Sequence, residues 1–202
     1  MWESAQFGNN NTASWIRVDG STGTPLATIA QAEDFAVHLD FYWDGFQAGE
    51  NAEVLLDLGI AWLTIETDAY GLPRVVGRLV YPGAPANTAL VSGAPVETRR
   101  WYRIAWVVTD WQGGDGATRH WLDVWPRNRA TGWFNMPADE NCVWRKLGPT
   151  LNLPAPSEAR FGSPITGMGE FFRGRIDNIA LFNSSYNHGK PTVCTELTGG
   201  VP

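Results

Sequence analysis

Two acidic side chains, Glu66 and Asp68 in Glu66-Thr67-Asp68-Ala69-Tyr70-Gly71, are the first place in this sequence where chemistry is conceivable. On an extended strand they share a face, and a retaining glycosidase needs two carboxyl groups about 5 Å apart, one as nucleophile and one as acid. The plainer reading makes both of them solvated residues at a strand end. His38 and Tyr42 form a second combination on one strand face. A polysaccharide lyase needs such a base beside a cation that neutralises a uronate carboxylate, and arginines are plentiful while Lys146 and Lys190 are the only lysines. A histidine on the polar face of a strand, however, is ordinarily just hydrated. His120 and His188 have no Cys or His at zinc-ligand spacing, and no Ser, His and Asp arrangement or phosphate-binding glycine loop is recognisable. We therefore expect no catalytic centre.

Binding residues are better represented. Sugar rings stack on flat aromatic faces, while carboxylates and amides exchange hydrogen bonds with hydroxyls. In Trp121-Leu122-Asp123-Val124-Trp125, Leu122 and Val124 suit a core, which leaves Trp121, Asp123 and Trp125 on the opposite face. His38, Asp40 and Tyr42 on a second strand, and Trp62, Thr64 and Glu66 on a third, are expected to extend this into one polar aromatic surface. The chain has 11 tryptophans, so core burial and a subunit seam between copies remain alternatives for the same rings. Trp111, Trp133 and Trp144, in or near predicted loops, are secondary candidates.

The elements that must position these residues are strands. In Phe35-Ala36-Val37-His38-Leu39-Asp40-Phe41-Tyr42-Trp43-Asp44, Phe35, Val37, Leu39, Phe41 and Trp43 alternate with His38, Asp40, Tyr42 and Asp44, the mark of a strand with one buried face. Similar runs cover 53–58, 61–67, 74–81, 100–109, 119–125 and 174–182, separated by Gly, Pro, Asn and Asp clusters. Residues 4–8 and 14–18 read as an opening pair of strands joined by Asn9-Asn10-Asn11-Thr12, and 82–95 reads as a loop. This spacing predicts an all-β sandwich or barrel. With 202 residues, 44% hydrophobic and 18% charged, we expect one domain over 1–183 and a tail over 184–202 that docks or frays. Cys142 and Cys194 are the only cysteines. As a disulfide they would pin that tail, worth about 4 kcal/mol in the chain-entropy treatment; two free buried thiols are the alternative. The net charge of −6, without a basic cluster, argues against nucleic acid or anionic lipid as partner. No apolar run suggests a signal peptide or a membrane span.

The closing segment Phe171-Phe172-Arg173-Gly174-Arg175-Ile176-Asp177-Asn178-Ile179-Ala180-Leu181-Phe182-Asn183 resembles the last strand, F-x-G-x-I-D-x-V-x-I-Y-N, of laminin G-like members of the concanavalin A-like lectin and glucanase superfamily. Ala5-Gln6-Phe7-Gly8 leading to Trp15-Ile16-Arg17-Val18 is similar to that family's opening hairpin. Arg100-Trp101-Tyr102-Arg103-Ile104-Ala105-Trp106-Val107-Val108-Thr109-Asp110 is similar to its W-h-H-V-A-V-T-Y-D strand, and Gly113-Gly114-Asp115-Gly116 to the turn that follows. The resemblance spans about residues 4–183 and implies a two-sheet antiparallel jelly-roll β-sandwich. It does not imply one function, because such folds carry lectins, adhesion modules, hydrolases, lyases and structural domains alike. Laminarinase-type relatives carry E-x-D-x-x-E, and here Gly71 stands where the acid/base would be. Relatives that bind calcium do so in rim loops, which makes Asp110 and Asp115 the candidate ligands; two aspartates beside a Gly-rich turn are otherwise simple turn formers.

A fold common on surfaces outside cells, in a chain read as lacking an export signal, leads to the expectation of a bacteriophage virion protein. Such a protein, of the minor tail or capsid surface, would be made in the host cytoplasm and would contact other virion proteins or host-surface glycan without catalysis or a cofactor. A carbohydrate-binding module of a secreted, extracellular bacterial protein is the alternative, followed by a divergent hydrolase or lyase. An exposed aromatic face would equally serve a homo-oligomer.

Overall fold

The computed structural model describes residues 5–7, 15–20, 26, 35–80, 88–109, 117–128, 130–131, 142–149, 154, 156–165, 169–182 and 195–196. Its strands are β1 (Ala5–Phe7), β2 (Ile16–Asp19), β3 (Phe35–Trp43), β4 (Ala52–Asp57), β5 (Ala61–Thr67), β6 (Pro73–Leu79) and β7 (Leu90–Val91), followed by β8 (Trp101–Thr109), β9 (Ala117–Pro126), β10 (Val143–Pro149), β11 (Glu158–Phe161), β12 (Glu170–Phe171), β13 (Gly174–Phe182) and β14 (Thr195–Glu196). The front sheet runs β1-β13-β3-β8-β9-β10-β14, and the back sheet β2-β11-β4-β5-β6-β7, with β12 also on β4. Pairing is antiparallel except for two short parallel contacts, β14 on β10 and β12 on β4. Among the described residues no helix is long and apolar enough to cross a membrane.

Alternation accounts for the two layers. Phe35, Val37, Leu39, Phe41 and Trp43 of β3 are all buried between the sheets, as are Ile104, Trp106 and Val108 of β8 and Leu63 and Ile65 of β5. Aromatic contacts knit this core: Phe41 stacks on Tyr102 at 5.3 Å, and Phe35 meets Trp106 edge-on at 5.6 Å. Each such ring contributes about 1.5–3 kcal/mol on burial. Gly77 of β6 leaves the space Trp106 fills, since a Cβ there would lie 3.0 Å from the indole.

Two sequence expectations change. The opening strands are not a hairpin: β1 pairs with β13 in the front sheet and β2 with β11 in the back sheet, so the chain changes layers between them. The segment read as a loop contains β7, which pairs with β6. The tail supplies β14, in register Val143↔Thr195 and Trp144↔Glu196. Cys142, one residue before that pairing, is disulfide-bonded; the chain's other cysteine, Cys194, lies outside the described residues.

One buried carboxylate ties the layers where the chain crosses from β12 to β13. Glu53 of β4 is fully buried. Its Oε2 accepts hydrogen bonds from the Trp43 indole N–H at 3.0 Å and the Arg173 backbone N–H at 3.1 Å, and its Oε1 accepts one from the Arg173 guanidinium at 2.7 Å. Arg173 also pairs with Glu50. The next residue, Gly174, has φ 147°, and a Cβ there would fall 1.9 Å from the Tyr42 carbonyl oxygen. In Phe172-Arg173-Gly174-Arg175-Ile176, then, Phe172 and Ile176 fill core, Arg173 clamps, and Gly174 permits close approach.

Gly174→Ala is expected to lower unfolding free energy by about 3 kcal/mol or more through this clash and the unfavourable φ, measured by urea denaturation. A second prediction concerns pH. Burial pushes the Glu53 carboxyl up from 4.5 to about 7, with Asp44 and Glu170 adding to the rise and the Arg173 and Trp43 donors opposing it. A carboxyl whose value is higher folded than unfolded favours the protonated native state, so its stabilisation is complete below about pH 4.5 and is lost as pH rises through 7. Urea midpoints should therefore fall from pH 5 to pH 8, and Glu53→Gln should flatten that component.

Candidate functional site

The outer face of the front sheet brings together residues from β13, β3, β8, β9 and β10. Register places them in rows: Arg175–Tyr42–Trp101, then Asp177–Asp40–Arg103–Trp125, then His38–Ala105–Asp123, and last Ala36–Val107–Trp121–Trp144. Trp121, Asp123, Trp125, His38, Asp40 and Tyr42 thus do share one face, as alternation predicts. They do not share one environment. Ala36, Val107 and Trp121 form a small buried apolar cluster with Trp144 packed on it, and Asp123 is buried as well. Beside the small Ala36 and the branched Val107 the Trp121 ring gains more by packing than by facing water, which corrects its expected exposure. Trp144, expected near a loop, lies within β10.

The other end of the face is open. Tyr42, Trp101, Arg103 and Trp125 are half-buried, and Arg175 and Asn178 exposed. At its centre the Asp40 carboxylate, 3% exposed, accepts hydrogen bonds from Arg103 Nε at 2.7 Å and a terminal guanidinium nitrogen at 2.8 Å, and from Asn178 Nδ2 at 2.7 Å. This bidentate pairing holds the Arg103 guanidinium more firmly protonated than usual. Asn178 reaches Asp40 because β13 carries a register shift between Asp177 and Ala180, with Asn178 at φ 49°. The irregularity turns the amide toward the neighbouring strand, and Asp177 Oδ1 accepts the Asn178 N–H at 2.8 Å. Beside this polar centre the Tyr42 and Trp101 rings lie 5.7 Å apart, and the Arg175 guanidinium sits 5.7 Å from the Tyr42 ring centroid. His38, at the margin, meets the Phe182 ring edge-on at 5.5 Å.

Trp62 and Glu66 are elsewhere. β5 belongs to the back sheet, so the face carrying Trp62, Thr64 and Glu66 points away from the front sheet. A single three-strand surface does not form. Glu66 is held bidentately by Arg78, with one contact at 2.7 Å, and accepts the Thr64 hydroxyl at 2.6 Å. Burial opposes its ionisation, but these partners outweigh it and keep the carboxyl below its ordinary value. Asp68 caps the turn, accepting backbone N–H groups of Tyr70 and Leu72 and pairing with Arg74 at 2.6 Å, and Arg74 foremost lowers its carboxyl. Gly71, at φ 79°, completes that turn. Both carboxylates of the glycosidase-like string are therefore committed to arginines.

Asp110, Asp115, Trp111, Trp133 and His188 lie outside the described residues. Among the described residues no three His, Cys, Asp or Glu side chains gather to hold a metal ion. His120 faces inward in β9 with no exposure. Burial, reinforced by Arg145, pushes it down to about 3, so it is neutral. Its parity with Leu122 and Val124 was a readable signal. So was the alternation of Trp101 and Arg103 with Tyr102 and Ile104; the role of Asn178 was not, because the irregularity in β13 breaks the period.

Fold and face together define an all-β protein of two packed jelly-roll sheets. Solved structures share this architecture. The CBM40 of the Ruminococcus gnavus IT-sialidase matches with TM-score 0.51 and 13% identity, over 91% of this chain and 91% of that one. The protein HCR/D-Sa-GBL1/C matches with TM-score 0.52 and 9% identity over 89% of this chain, which spans 39% of it. The native heptameric SAP-like pentraxin from Limulus polyphemus is more distant, at TM-score 0.44 and 12% identity over 75% of this chain, which spans 64% of that chain. No protein-family model matches the sequence, and no curated protein does.

The two tryptophans paired on one strand should separate in a stability experiment. Trp121→Ala is expected to cost about 3–5 kcal/mol as a buried truncation, and Trp125→Ala, at the half-exposed end, less than about 1.5 kcal/mol, by urea denaturation.

Proposed function

We propose that this protein is a non-catalytic glycan-binding domain, a laminin G-like variant of the concanavalin A-like sandwich, and that it holds sugar on the open end of the front sheet. One observation carries the reading: Tyr42, Trp101 and Trp125 surround a hydrogen-bonded centre made of Asp40, Arg103 and Asn178. Aromatic faces take the apolar faces of pyranose rings, and guanidinium and amide groups take their hydroxyls, here fixed in place by the buried Asp40 carboxylate. The centre is pre-organised by its own ion pair, which reduces what binding must order. The commitment of Glu66 and Asp68 to Arg78 and Arg74 favours binding over glycoside hydrolysis. In this reading the domain is an adhesive part of a virion surface, contacting host glycan. Neighbouring tail or capsid genes would support that setting, and a catalytic domain joined to it would place it in a secreted enzyme instead.

A glycan array probed with the wild type and with Tyr42→Ala/Trp101→Ala tests the site. The double variant is expected to lose at least tenfold in affinity while Trp62→Ala, on the opposite sheet, binds as wild type does. Equal binding by all three would remove the site assignment, and release of products from a bound polysaccharide would replace binding by catalysis.

A further inference from the structure

Among the cations of the open face, Arg175 stands apart. Arg103 is engaged by Asp40, and Arg173, on the same strand connection, by Glu50 and Glu53. Arg175 is exposed and has no ion-pair partner among the described residues; its guanidinium lies over the Tyr42 ring, 5.7 Å from the centroid. Asp177, next on the same face, accepts the Asn178 N–H rather than pairing with Arg175. A guanidinium held over a ring is restrained in position yet keeps donors directed outward, and its planar fork suits a carboxylate.

The row in which Arg175 sits continues through Tyr42 to Trp101. Arg127, whose backbone N–H donates to the Trp101 carbonyl at 2.7 Å, is exposed at the far end of that row. Three strand spacings separate the two arginine backbones, roughly 14 Å. Two aromatic rings thus lie between two exposed arginines, in a chain whose overall charge is −6. One exposed cation, Arg175, on an acidic molecule favours a ligand with discrete carboxylates over a dense polyanion, which the net charge repels.

We propose that the ligand is a carboxylate-bearing oligosaccharide, laid across the strands with a sugar ring on Tyr42 and Trp101 and its carboxylate on Arg175. This rests on the glycan-binding reading above and adds the charge class and the direction of the chain. Arg175 would act as the specificity-determining contact, with stacking common to acidic and neutral sugars.

The test is an array and titration calorimetry using tetramers of galacturonate, mannuronate, guluronate and glucuronate, each beside its carboxyl-reduced form, with wild type, Arg175→Gln and Arg175→Lys. The expected result is at least tenfold tighter binding of one acidic tetramer than of its reduced form. Arg175→Gln should remove that preference without weakening the reduced form, Arg175→Lys should keep part of it, and added salt should weaken only the acidic ligand. Binding of reduced forms as tight as the acidic ones, unchanged in Arg175→Gln, would overturn the charge assignment and leave the glycan reading standing. No binding to any tetramer, together with no neutral glycan bound on the array of the previous section, would overturn both. An unchanged thermal midpoint for Arg175→Gln verifies that the exposed substitution leaves the fold intact.

Discussion

Much of this structure depends on one buried carboxylate accepting three hydrogen bonds. Glu53 lies between the layers, and removing a carboxylate from water costs several kcal/mol unless its partners are in place. Those partners are Trp43 of the front sheet and the side chain and backbone of Arg173, at the crossing from back to front. The demand for satisfaction therefore constrains where the chain enters β13. Gly174 then passes against the Tyr42 carbonyl where no side chain would fit, and the register of β13 on β3 is set. Two consequences follow along the strand: Arg175 comes to rest over Tyr42, and Asn178 arrives beside Asp40.

The front sheet uses its outer face in two ways. At one end, small and branched side chains give Trp121 an apolar bed and the face is closed. At the other, Asp40 and Arg103 hold each other in a fixed fork, and the rings on either side remain partly exposed. The back sheet builds a similar fork from Glu66 and Arg78 on its own outer face. An ion pair on a sheet is thus no site by itself. What distinguishes the front is the run of aromatic rings beside the pair and the exposed cation at the end of the row.

Local pattern made the layers legible. The period of two over residues 35–43 assigns five side chains to the core and four to the other face, and all nine lie as that parity requires. Runs over 61–67 and 174–182 coincide with β5 and β13, because an apolar period bounded by Gly, Asn and Asp marks a strand. The closing motif was readable too, and its physical content is now specific: core, clamp, close approach, core. β7, β12 and β14 span two residues each, too short for any period to show.

By itself, then, the sequence determined that the protein is an all-β sandwich or barrel, with a family resemblance pointing to the sandwich, which side chains oppose one another across each strand, and which strand carries Trp121, Asp123 and Trp125. Tertiary structure alone decided that β5 faces away in the other sheet, that β1 and β2 lie in different layers, and that Trp121 is covered while Tyr42 and Trp101 are open. The reason is physical. A period of two says which side a residue takes relative to its neighbours, a property of the local backbone. Which sheet a strand joins, and what lies over its outer face, follow from pairings between segments far apart in sequence, such as Glu53 with Arg173, and no local period encodes these.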